Sequence, residues 1–152
     1  MIPDFNDGVL PEGVHTCTLE EIAERFGRFD RSNRRQRLTQ ALMRYIREVR
    51  NLRIADALII DGSFVTMKAE PNDIDLILVL RRAPNPGQEL IPAEYNVASK
   101  SMVRSLYGFD IRAVTESSPE YRKYIELFSR IRPDDPELNT SERRKGMLRF
   151  EL

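Results

Sequence analysis

Between Asp73 and Leu80 the chain carries Ile74, Leu76, Ile77, Leu78, Val79 and Leu80, an apolar run interrupted only by Asp75. A strand with one wet face alternates apolar and polar residues. A run without that alternation predicts a strand buried on both faces, and so the centre of a sheet. Its opening is then anomalous. Asp73 and Asp75 stand at i and i+2, so both side chains leave the strand on one face. Two adjacent carboxylates repel, and an apolar surround raises the cost of ionising both. A divalent cation removes both penalties, and carboxylates completed by phosphate oxygens and water are a usual way of holding Mg²⁺. The ordinary alternative is that Asp73 serves the turn after Pro71-Asn72 while Asp75 faces solvent.

The rest of the chain supplies the layers such a strand needs. Residues 1–17 read as an extended segment, broken by Pro3, Gly8, Pro11 and Gly13. Thr18 and Glu21 form a capping box for a short helix that Gly27 stops. From Asn33 to Asn51, Leu38, Ala41, Leu42, Tyr45, Ile46 and Val49 recur at helical spacing. The opposite face of that helix carries Arg37, Arg44, Arg47 and Arg50, either a solvated face or a contact for phosphate or RNA. Ala55 to Ile60 reads as a strand ending in the turn Asp61-Gly62-Ser63. Residues 83–92 are a loop, 93–106 a helix closed by Gly108, and 109–115 a third strand. Pro119 opens a further helix to Ile131, ended by Pro133 and Pro136, and Met147–Leu152 adds a short edge strand. The expectation is an α/β (α+β) protein, a small mixed sheet flanked by helices, in one domain spanning residues 1–152.

Composition narrows function mainly by exclusion. Acidic and basic residues number 24 each, so net charge favours neither nucleic acid nor membrane. Lysine occurs only at Lys68, Lys100, Lys123 and Lys145, and arginine supplies the remaining positive charge. Arginine suits bidentate contacts to phosphate and carboxylate, although codon usage also raises it. Cys17 is alone, and no apolar run approaches the ~20 residues of a membrane span. The expected location is the cytoplasm, with no membrane partner. There is no Walker-type phosphate loop and no dinucleotide-binding glycine pattern. His15 is the sole histidine, and Leu76 to Leu78 stand where a calcium loop needs oxygen ligands.

Two further signals sit near the acid pair. Gly62-Ser63 directly follows a strand; glycine admits close backbone approach to a phosphate, and a serine hydroxyl can bond its oxygens. Asp110 falls between Phe109 and Ile111 in an apolar strand, where a carboxylate needs a partner such as a metal site, unless it lies exposed on a sheet edge.

Gly62-Ser63, nine intervening residues, and Asp73-Ile74-Asp75-Leu76 together resemble the signature of the polymerase-beta-like nucleotidyltransferase superfamily, in the short spacing of its minimal members. Asp110 matches the later strand-borne carboxylate of that pattern. Ile2-Pro3-Asp4-Phe5, Leu10 to His15, Asp61 to Thr66, Pro71 to Asp73 and Lys145-Gly146 are also similar to an uncharacterised bacterial family of nucleotidyltransferase-like proteins. The resemblance implies the nucleotidyltransferase fold and a metal-dependent transfer from a nucleoside triphosphate to a hydroxyl of RNA, protein or a small molecule. It implies that Asp73, Asp75 and Asp110 hold Mg²⁺ or Mn²⁺, with Asp110 also helping to deprotonate the acceptor. Gly62 and Ser63 grip the triphosphate, with Lys68, Lys100 and Arg104 as candidate partners. Two alternatives stay open: a catalytically silent module of a toxin–antitoxin or phage-defence system, and an RNA-binding protein using the basic helix face. No acceptor-binding region stands out, so a partner protein or self-association is expected to complete the unit.

Overall fold

The computed structural model describes residues 1–28, 33–131 and 144–152; Pro133 and Pro136 lie outside these. The described residues form a five-stranded mixed sheet with five α-helices, the α+β architecture expected from the sequence. The strands are β1 (Val14–Cys17), β2 (Ala55–Asp61), β3 (Asp75–Leu80), β4 (Asp110–Thr115) and β5 (Met147–Glu151), in the order β1-β5-β2-β3-β4. The helices are α1 (Leu19–Phe26), α2 (Arg34–Leu52), α3 (Pro92–Ala98), α4 (Lys100–Tyr107) and α5 (Pro119–Phe128).

The non-alternating run of β3 does lie inside the sheet, antiparallel to β2 and parallel to β4. Its residues feed two apolar layers. Leu76 and Leu78 join Leu58, Ile60, Ile111, Leu148 and Phe150 in the larger one, which α1 to α4 cover through Ile22, Phe26, Tyr45, Ile46, Val97 and Val103. Ile77 and Val79 join Ala57, Ile59 and Met147 in a smaller layer, covered by Tyr121, Tyr124, Ile125 and Phe128 of α5.

Three sequence expectations are corrected. The C-terminal strand is not an edge strand: β5 lies between β1 and β2, parallel to one and antiparallel to the other. The extended N-terminal segment supplies the edge instead, through β1, and so shields β5. The helix expected over residues 93–106 is two helices broken at Ser99, whose backbone is extended (φ −79°, ψ 129°). In an unbroken helix the Val97 carbonyl would accept from residue 101; here it accepts the buried Tyr45 hydroxyl at 2.7 Å. Finally, α5 stops at Phe128, because Ser129 O accepts Lys145 N–H at 2.8 Å and Arg130 bridges to Arg144. The capping box at Thr18 and Glu21 forms as expected, and its hydrogen bonds hold the Glu21 carboxyl below its ordinary pKa.

Candidate functional site

Strand register decides which side chains meet. Asp61 pairs across the antiparallel ladder with Asp75, and Asp75 pairs across the parallel ladder with Asp110. Residues paired in this way point to the same face. Three carboxylates from three strands therefore stand in a row at one end of the sheet, on the α5 side. Asp73 lies two residues before Asp75, ahead of the start of β3.

These residues open into a cleft of about 490 Å³, lined by four carboxylates (Asp61, Asp73, Asp75, Asp110) and four cations (Lys68, Arg112, Arg130, Lys145). Gly62, Ser63, Thr66 and Asn72 line it as well, and Leu127, Phe128 and Ile131 form an apolar flank. All eight residues singled out from the sequence converge here. Asp73, Asp75, Asp110, Gly62, Ser63 and Lys68 line the cleft itself. Lys100 and Arg104 reach it from α4 by pairing with its acids. Arg104 Nη1 donates to Asp73 Oδ2 at 3.0 Å, and Lys100 Nζ lies 3.5 Å from Asp110 Oδ1.

Gly62 has a conformational reason to be glycine. Its φ is +86°, and a Cβ there would stand 2.9 Å from Asp75 Oδ2 and 3.2 Å from Asp75 N. The missing side chain is what lets the Gly-Ser turn close against the acid. The turn runs into a short 3-10 segment, Ser63–Val65, where Thr66 Oγ1 donates to Ser63 O at 2.7 Å.

Arg35 holds this loop from beneath. The side chain is fully buried and donates to the carbonyls of Phe26, Phe64, Thr66 and Lys68, with Phe64 O at 2.7 Å and Thr66 O at 2.8 Å. Burial lowers its pKa while leaving it charged at neutral pH. The basic face of α2 is a separate feature. Arg37, Arg44, Arg47 and Arg50 are exposed on a helix covering the other face of the sheet, with Arg44 over Tyr107 and Arg50 over Phe150.

Sequence reasoning missed four charged residues of the cleft. Asp61 and Lys145 form a buried ion pair, their side chains 4% and 10% exposed. Arg112 Nη1 donates to Asp110 Oδ1 at 3.0 Å, and Arg130 lies on the rim. Signals existed for three of them. Asp61 ends an apolar strand immediately before Gly62-Ser63, Arg112 shares Asp110's side of β4, and Lys145 is one of only four lysines. Gly146 helps to seat Lys145: its N–H donates to Leu10 O at 2.8 Å, and a Cβ there would fall 2.0 Å from Pro11 O.

As a metal site the donors are of the right kind, since carboxylate oxygens on one face suit a hard divalent cation. Gly62 leaves beside Asp75 a space that any side chain would fill. Among the described residues, however, no three acidic, histidine or cysteine side chains are drawn together closely enough to hold an ion. Asp73 and Asp110 are instead held by arginine and lysine. Cys17 takes no part: it is buried, desolvation pushes its pKa up to about 12, and its thiol donates to Arg149 O at 3.6 Å.

Residues 3–151 match the family model described as "Family of unknown function (DUF6932)". The chain belongs to that family. No curated protein and no solved structure matches the DUF6932 chain. Among its described residues, no helix is long and apolar enough to cross a membrane.

Proposed function

We propose that the cleft binds a metal–nucleoside triphosphate and transfers its nucleotidyl group to a hydroxyl acceptor. The observation that carries this reading is the register Asp61–Asp75–Asp110 across three strands, with Gly62-Ser63 closed against Asp75. The reading is supported by the acid pair, Asp110 and the Gly-Ser turn lining one cleft, the residues on which the polymerase-beta-like resemblance rests. Asp73, Asp75 and Asp110 would hold Mg²⁺ or Mn²⁺, which when bound offsets the charge of the carboxylates and of the phosphates.

The chain's own residues then position the reactants. Gly62 and Ser63 would bind the pyrophosphate end through backbone and hydroxyl, aided by Lys68. The acceptor oxygen attacks the α-phosphorus in line as the bond to the β-phosphate oxygen breaks, and pyrophosphate leaves with that electron pair. Asp110 would take the hydroxyl proton on Oδ2, since Arg112 and Lys100 hold Oδ1. The apolar flank of Leu127, Phe128 and Ile131 suits a base or an acceptor. The proposed compartment is the cytoplasm, where nucleoside triphosphates and a lone thiol both persist.

Thermal unfolding tests the reading. With Mn²⁺ and ATP the melting temperature of wild type is expected to rise, and Asp73→Ala and Asp75→Ala to lose that rise. A rise that survives both substitutions refutes the site. Incubating the protein and labelled nucleotide with lysate then identifies the acceptor as RNA, protein or small molecule.

A further inference from the structure

Two of the acids that the proposed site requires, Asp73 and Asp110, each have a cationic partner on α4. Arg104 Nη1 donates to Asp73 Oδ2 and to Gly108 O, each at 3.0 Å, so the end of α4 anchors the guanidinium as well. Lys100 Nζ approaches Asp110 Oδ1 at 3.5 Å, the same oxygen that Arg112 takes at 3.0 Å. Lys100 and Arg104 stand at i and i+4, on one side of α4. Both are well exposed, at 65% and 52%, so each can exchange partners without opening the core.

A divalent cation arriving alone must share Asp73 and Asp110 with these two cations and is repelled by both. A polyphosphate changes that balance. It offers guanidinium and ammonium a more highly charged acceptor and draws them off the carboxylates. Arg112, on β4, is less exposed than either Lys100 or Arg104, and its guanidinium lies over the Tyr124 ring as well as beside Asp110.

We propose that α4 couples the two ligands of the cleft. Lys100 and Arg104 hold Asp110 and Asp73 until a polyphosphate takes them over, so the site selects a metal–polyphosphate complex over free metal. This rests on the metal–triphosphate reading above. By linkage, the polyphosphate favours the metal by the same factor as the metal favours the polyphosphate.

The signature is an opposite response of two ligands to one substitution. Calorimetric titration of the full chain with Mn²⁺ alone is expected to show Arg104→Ala binding about fivefold tighter than wild type, the scale of an exposed ion pair. Titration with inorganic tripolyphosphate in saturating Mn²⁺ is expected to show the same variant binding several-fold weaker. Lys100→Ala gives the same pair of changes with smaller factors, and serves should Arg104→Ala fail to fold. If both ligands weaken together, or neither changes while wild type binds both, the coupling is wrong and the site reading stands. If wild type binds neither Mn²⁺ nor Mn²⁺–tripolyphosphate, both fall.

Discussion

The two faces of the sheet are built to different ends. On one, α1 to α4 bury a continuous layer around Leu58, Ile60, Leu76, Leu78 and Tyr45. On the other, α5 covers five buried residues with side chains that are themselves only partly buried, and Leu127 remains 46% exposed. The same three central strands serve both, because successive residues point to opposite sides. The thick face supplies the apolar burial that offsets chain entropy. The thin face ends in a row of acids that no apolar layer could accommodate.

Three experiments set the faces against each other. The largest effect is expected at the polar end of the thin face. Lys145→Met takes the ammonium away from the buried Asp61 carboxylate and should cost about 3–5 kcal/mol in urea unfolding. Asp61→Leu combined with Lys145→Met should recover most of it, since a broken buried pair costs more than an absent one. If the double variant is as unstable as the single, the pair is not what secures that end of the sheet.

Apolar truncation should show the reverse ranking. Leu78→Ala, in the thick layer, is expected to cost about 3 kcal/mol, and Ile125→Ala, on the partly buried α5, about 1 kcal/mol. Equal costs would erase the proposed difference between the faces.

The smallest effect concerns Cys17, which belongs to the thick layer. Its folded pKa of about 12 lies above the ordinary 9, so the folded state holds its proton through that interval and the unfolded state does not. Folding stability must therefore fall as pH rises from 9 towards 12. Cys17→Ala should lack that part of the fall. At pH 8 the native thiol should resist alkylation and react only in denaturant; rapid native labelling would mean the layer is open to solvent.

Much of this was legible in the chain. The unbroken apolar run of β3 required a strand covered on both sides, and a capping box and helical spacing placed α1 and α2. The acid pair, the Gly-Ser turn and Asp110 were readable from local signals: charge in an apolar strand, or a Gly-Ser turn directly after one. Less was legible where a distant partner decides. The break at Ser99 depends on the Tyr45 hydroxyl, and the end of α5 on residue 145.

Local pattern thus determined most of the elements and marked eight of the residues that meet at the cleft, because solvation and backbone geometry act on neighbours in sequence. Tertiary structure alone decided the order β1-β5-β2-β3-β4, the burial of Lys145 against Asp61, and the grip of Arg104 and Lys100 on the acids. Strand order and charge pairing depend on which surfaces meet once the chain has closed, and a residue's spacing along the chain carries no record of that.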